Sequence, residues 1–303
     1  FLINSVHIRD DLELAPNAYH ISLHDVVAGK GEVYPDRELA INPGQGTNDL
    51  EGIQTKDPTF GLDAVWIDPS DRDEAQSRGC IVVDSSTVIA THLSQLLKND
   101  AHKLISQDDV QELLDKLATT SPKLVENLVP GLMTLADVTR VMHNLLEEGI
   151  PIRDIRTIVG ALSEHHQGSR TPDDLTRNVR IALGPAIYQT VNGTEPELSV
   201  MVLDSRLEQM LMQAVASDGG GIEPTLIDGM IEQVGSVCGT MEAAGTTPVL
   251  LVASNIRSFL SRLLRGRMAN FYILAYEEVP ADKKVKVIST VGGASNNAAI
   301  AGN

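Results

Sequence analysis

Aromatic side chains are scarce in this chain: 303 residues carry one tryptophan, four phenylalanines and five tyrosines. No pair of rings recurs on adjacent candidate strands, which counts against a protein that stacks nucleic-acid bases. Basic residues are also few. Lys and Arg number 24 against 41 Asp and Glu, a formal charge of −17, so a phosphate backbone or an anionic membrane is a poor partner unless a basic patch is set apart. None is. The densest basic stretches, 257–267 and Lys283-Lys284-Val-Lys286, are interleaved with apolar residues. In the first of them Ile256, Leu260, Leu263 and Leu264 recur at helical spacing, which leaves its arginines on a solvated face. The two cysteines, Cys80 and Cys238, lie far apart without metal-type spacing and read as reduced, cytosolic thiols. No apolar run approaches the ~18 residues that a membrane-spanning helix needs, and Phe1-Leu-Ile-Asn has neither the basic region nor the cleavage pattern of a secretion signal. The stretch as given is expected to be soluble, and it is long enough for two or more domains with a substantial core.

Catalytic and cofactor signatures are missing as well. Gly219-Gly-Gly-Ile is no phosphate loop, because no Gly-Lys-Ser/Thr follows and a helix stands where the motif needs a strand; it reads as a hinge. His165 and His166 are adjacent, so on a helix they point ~100° apart. His20 and His24 share a strand face at ~13 Å separation, too far to ligate one ion. There is no Gly-x-Ser-x-Gly elbow and no Cys/His dyad. The expectation is no enzyme, no cofactor and no metal.

What is present is a change of period along the chain. Residues 5–9, 18–23, 25–28 and 32–34 read as strands, with Gly29-Lys-Gly31 as a turn. Residues 36–84 read as a small α/β segment with an acidic helix over 68–78 and a strand over 80–83. Asp84 is the N-cap of a helix reaching about Leu97. From 104 to 189 the pattern is helical, opened by the capping box at Ser106 to Asp109, with further helices at 121–128, 134–148, 151–166 and 171–189. Strands at 198–203, 247–253, 270–276 and 284–291 then alternate with helices at 205–216, 223–244 and 254–267, predicting an α/β sandwich with one sheet face covered. Residues 292–303 are small and polar and are expected to be a disordered tail.

The stretch Asp57-Pro-Thr-Phe-Gly-Leu-Asp-Ala-Val-Trp-Ile-Asp organises the rest. Pro58 fixes its φ and Gly61 permits a tight reversal, so Phe60 sits on a turn ahead of a short apolar strand. Such a ring either plugs a local core or serves as an anchor in a peptide-binding groove. This stretch resembles the cytoplasmic half of the bacterial flagellar export-gate family (FlhA/SctV, FHIPEP). Further matching blocks are Val6-His-Ile-Arg-Asp, Tyr34-Pro-Asp-Arg with Ala40-Ile-Asn-Pro-Gly, Val82-Val-Asp-Ser-Ser-Thr-Val-Ile-Ala-Thr91-His-Leu, Pro122-Lys-Leu-Val-Glu-Asn-Leu-Val-Pro, Ile152-Arg-Asp-Ile-Arg-Thr-Ile and Thr247-Pro-Val-Leu-Leu-Val. The similarity runs over nearly all the chain. Virulence-type SctV relatives share the architecture, but the Phe-Gly-Leu-Asp-Ala-Val-Trp and Ala-Thr-His-Leu strings are more flagellar.

The resemblance implies an α+β multidomain protein. It comprises an RNA-recognition-like α/β domain (1–35 and 85–104, lacking an upstream strand and helix), a small inserted α/β domain (36–84), an all-α domain (105–189) and a C-terminal α/β domain (190–291). It implies a chaperone-binding cleft between the first domain and its insertion, matching Asp57, Phe60 and Thr91, with Val83 and Val88 as apolar lining and Pro43 nearby. Asp57 and Thr91 would fix a visiting helix by hydrogen bonds at the rim, or would support a turn and a cap. Implied partners are flagellar export chaperones with late substrates, components of the export ATPase complex, and copies of the chain itself in a nonameric ring at the inner membrane, reached through a membrane portion preceding Phe1. The alternatives are an SctV-type part of a virulence export gate and, from another class, a hydrolase or transferase with an unrecognised carboxylate site.

Overall fold

A two-residue turn starts the regular structure. In the computed structural model, which describes residues 6–42, 50–165, 171–217, 223–268 and 271–292, β1 (Ala18–Leu23) and β2 (Val26–Glu32) form an antiparallel hairpin. His24 and Asp25 join them, both left-handed at φ 49° and 62°, the pairing of positive φ values that suits a two-residue hairpin loop. The sequence placed the turn at Gly29 to Gly31 and put His24 on a strand face. Those glycines instead lie inside β2. A Cβ on Gly29 would sit 2.7 Å from His92 Nε2 and one on Gly31 2.8 Å from Tyr19 Oη, so here glycine marks close approach and not reversal. The strand expected at 5–9 is not seen over its described residues, 6–9.

The chain divides into two units, Phe1–Ile105 and Ser106–Asn303. The first also holds a four-stranded antiparallel sheet in the order β4-β5-β3-β6. Its strands are β3 (Glu38–Ile41), β4 (Ile53–Lys56), β5 (Asp63–Ile67) and β6 (Ile81–Asp84). Alternation at period two separates its faces. Ala40, Val65, Ile67 and Val82 pack with Ala75 of α1 (Arg72–Ser77). Leu39, Ala64 and Trp66 pack on the other side with Val88 of α2 (Ser85–Asn99). Asp84 caps α2, its Oδ1 accepting the Thr87 amide at 2.6 Å, and the short α3 (Ala101–Leu104) follows. The expected helix over 68–78 is a 3-10 turn leading into α1, while β3 and β4 were not anticipated.

The second unit opens on α4 (Gln107–Ala118), where Ser106 and Asp109 form the expected capping box. Next come α5 (Pro122–Glu126), α6 (Leu135–Glu147), α7 (Ile155–His165), α8 (Pro172–Ala182) and α9 (Gly184–Asn192). The single helix expected over 171–189 breaks at Leu183, because Pro185 in the first turn of α9 has no amide to continue the ladder. The helix expected at 121–128 likewise stops early, before a π-type turn containing Pro130.

Beyond it lie β7 (Glu197–Leu203), α10 (Ser205–Ala216), α11 (Pro224–Ala243), β8 (Val249–Val252), α12 (Ser254–Leu264), β9 (Tyr272–Ala275) and β10 (Lys284–Val291). The strands form a parallel sheet in the order β10-β7-β8-β9. Met201, Leu250 and Ile273 pack under Leu211, Val234 and Leu260 of the helices. Val200, Val249, Leu251 and Leu274 on the opposite face are buried too. The central strands are therefore covered on both faces, as parallel sheets require, and not on one as the sequence suggested. Residues 219–222, His166 and 293–303, read above as hinge, paired histidine and tail, lie outside the described residues.

Candidate partner-binding site

The reversal between β4 and β5 is closed from both sides by the backbone. The Asp57 amide donates to Leu62 O at 2.8 Å and the Gly61 amide to Asp57 O at 2.9 Å. Gly61 is left-handed at φ 70°, where glycine alone carries no Cβ penalty. The Asp57 carboxylate, 4 % exposed, turns inward, and its Oδ2 accepts the amides of Thr59 at 3.1 Å and Phe60 at 2.6 Å. Asp57 thus supports the turn and does not stand on a rim as a free hydrogen-bonding group.

Phe60 points out of this frame. It is 63 % exposed, so it plugs no core in the first unit. Around it the site is more apolar than its sequence suggested. Ile81, Ile41 and Ala64 form one cross-strand row, and Leu62 continues that face from Ala64. Leu62 and Ile81 are exposed, at the sheet end from which the turn projects. Leu62 and Ile81 were not among the expected site residues, and the signal available for Leu62 was its place directly after Gly61, at the end of the Phe60 turn and ahead of β5.

Of the other expected residues, Thr91 is exposed on α2. Val88 is buried in the core with Leu39 and Trp66, and Val83 is partly buried against the same cluster; neither is a free lining residue. Pro43 lies outside the described residues. Beside Thr91, His92 is buried and its Nδ1 lies 2.8 Å from Tyr19 Oη, the rings meeting edge to face at 5.8 Å. Burial, with the charge of Asp57 second, pushes the Tyr19 phenol up to about 12. Burial draws His92 below its ordinary value, partly opposed by Asp57.

The second unit concentrates its charge elsewhere. Arg257 on α12, read above as part of a solvated face, is 2 % exposed. Its Nη1 and Nη2 donate to the two Glu148 oxygens at 2.8 and 2.9 Å. Arg180 on α8 grips Glu278 with Nε and Nη2, both at 2.7 Å, and reaches Glu148 through Nη1. Burial pulls Glu148 upward, but Arg180 and Arg257 outweigh it and hold the carboxyl below its usual range. A cavity of about 40 Å³ beside this cluster is lined by Asn144, Thr176, Arg257 and Ser261 among others, room for little more than water. Cys80 and Cys238 are buried and unbridged. Among the described residues no three His, Cys, Asp or Glu gather where they could hold a metal, and no helix is long and apolar enough to cross a membrane.

The candidate site is thus an exposed aromatic on a braced turn beside an apolar sheet end. The chain belongs to the FHIPEP family, whose model matches residues 1–284. It is 43 % identical over 293 residues to the flagellar biosynthesis protein FlhA of Escherichia coli K12, an alignment covering 97 % of this chain and 42 % of that protein. The chain therefore spans under half the length of that relative. Its fold is that of the Chlamydia pneumoniae CdsV protein (TM-score 0.81, 22 % identity, 95 % of this chain and 85 % of that one). It is also that of the nonameric EscV cytosolic domain from the type III secretion system (TM-score 0.69, 20 % identity, 92 % and 84 %).

Proposed function

We propose that this chain is a docking platform of a flagellar type III export gate, binding export chaperones with their late substrates at the Phe60 turn and working as a non-enzymatic part of a nonameric ring at the cytoplasmic face of the inner membrane. The observation that carries the reading is Phe60 itself, a large apolar side chain held in water by a turn whose buried carboxylate is committed to that purpose. Leu62 and Ile81 supply an apolar floor and Thr91 a polar edge, the arrangement that receives an apolar anchor of an amphipathic helix. Identity of 43 % to a flagellar relative against 22 % to a virulence-type structure favours the flagellar over the SctV-type assignment. The platform reading is favoured over a hydrolase or transferase because Glu148, the carboxylate of the buried charge cluster that lines the cavity, is already bound by two guanidinium groups, and that cavity is too small for a substrate. Docking of export ATPase components belongs to the same proposal.

The test is calorimetric titration of this chain with flagellar chaperones, with and without bound substrate. Wild-type protein is expected to bind the loaded complexes, and Phe60→Ala to weaken binding by at least about tenfold, as loss of a central aromatic anchor does. Undiminished binding by Phe60→Ala would remove the site from the proposal.

A further inference from the structure

We propose that the free half of β10, residues 284–288, is a docking edge for an extended, acidic partner segment in which carboxylates alternate with apolar side chains. The surface belongs to the second unit, and the proposal does not depend on the Phe60 reading.

β10 is an edge strand of the parallel sheet. It pairs with β7, and among the described residues no strand lies on its outer side. Its two ends differ. Val291 is buried in the core and the Gly292 amide donates to Gln233 Oε1 of α11 at 2.8 Å, so the carboxyl end is fastened. Residues 284–288 are all exposed, Val287 at 54 %.

Period two sorts this stretch chemically. Val285 and Val287 stand beside Leu198 and Val200 of β7, which are buried, so an apolar face begun inside the sheet runs out unfinished at its edge. Ile288, passed over in the ladder, is exposed as well. Lys284 and Lys286 line the other face, opposite Glu197 and Ser199. Lys283 is held over the Tyr188 ring at 5.4 Å, but among the described residues neither Lys284 nor Lys286 makes an ion pair, in a chain of net charge −17. The basic run that the sequence shows interleaved with apolar residues is thus separated by the pleat into a charged face and an apolar one.

A fifth strand at this edge would complete both faces. It would bring apolar side chains against Val285 and Val287 and carboxylates against Lys284 and Lys286, the cross-strand pairs that stabilise a sheet. Charge decides between occupants. The β10 of a second copy would bring two lysine faces together, which is how edge lysines guard a sheet against its own kind. An acidic strand is attracted at the same two positions.

Hydrogen exchange of this chain with end-capped peptides tests the proposal. The probe is Glu-Val-Glu-Val-Glu-Val-Glu; the controls are the same residues arranged in two blocks, and an alternating Lys-Val peptide of equal length. The probe should raise protection of amides within 284–288 by about fivefold or more, the worth of a net hydrogen bond, and the controls should not. Lys284→Glu combined with Lys286→Glu turns two attractive pairs repulsive and should weaken the probe about tenfold. No added protection at millimolar probe overturns the proposal. Equal protection by the block peptide would reduce the contact to charge and overturn strand addition, and equal protection by the lysine peptide would overturn the acidic partner. Protection over 284–288 that rises with protein concentration in the absence of peptide would make the occupant a second copy, which also overturns it. The comparison of the three peptides on wild-type protein stands alone if the double variant does not fold.

Discussion

The Asp57 turn and the Glu148 cluster both bury carboxylates, and they use them in opposite ways. At Glu148, two carboxylates and two guanidinium groups close on one another between α6, α8, α12 and the turn after β9, leaving Glu278 1 % and Arg180 3 % exposed. Nothing is presented outward. The charge fastens the helices of the second unit to its sheet. At Asp57 a single carboxylate accepts backbone amides of its own turn, and the result is an apolar ring standing in water. A buried ion pair broken on one side strands its partner, whereas an exposed ring can be removed without leaving anything unsatisfied. Mutation should therefore split the two regions: stability lost without a binding phenotype of its own in the one, binding lost without stability in the other.

The largest effect belongs to Arg180→Met. It leaves Glu278 buried without its bidentate partner and removes one of the two guanidinium groups on Glu148, and loss of about 3–5 kcal/mol is expected, read as a shift in the denaturant midpoint. Gly184→Ala approaches the same cluster through the backbone. Its Cβ would sit 2.6 Å from Glu278 O, a contact that no side-chain rotation relieves, and about 1–3 kcal/mol is expected from forced displacement. A Gly184→Ala melt equal to wild type would mean that the Glu278 backbone yields freely, and the cluster would not be the rigid joint described.

Acid sharpens the contrast further. The folded Glu148 carboxyl lies below its ordinary 4.5, burial being outweighed by Arg180 and Arg257, so on acidification the unfolded chain binds this proton first. Its contribution is present above about pH 4.5 and is lost as pH falls through the lower folded value. The stability gap between wild type and Glu148→Gln should accordingly be widest near neutrality and narrow below pH 4.5 in denaturant titrations. A gap that stays constant with pH would separate Glu148 from the acid response.

How much of this could be read from sequence follows from the range of the interactions. The Asp57 turn was legible because Pro58 and Gly61 are its own punctuation, and the caps at Asp84 and Ser106 were legible because donor and acceptor lie three residues apart. Arg257 was misread because its partner Glu148 is 109 positions away, and helical spacing alone cannot tell a guanidinium that faces a carboxylate from one that faces water. The hairpin turn was misplaced for a related reason. His24 and Asp25 offer no glycine, while the glycines of β2 answer to Tyr19, His92 and Leu96, residues from other elements. At the candidate site the exposure of Phe60 and the inward turn of Asp57 needed coordinates, since a ring on a turn fits a plug and an anchor equally well.

The smallest expected effect is the most discriminating. Phe60→Ala removes a ring that is mostly in water and belongs to neither core cluster of the first unit, so its stability change should stay within about 0.5 kcal/mol. The Asp57 to Phe60 hydrogen bond runs to the backbone amide and survives the substitution, so the turn itself should persist. Trp66 provides the internal check: it is buried in the same unit at the centre of the sheet, and its fluorescence should report the same melting curve in variant and wild type. A melt lowered by many degrees would mean that the ring packs against something in solution and is not free to anchor a partner.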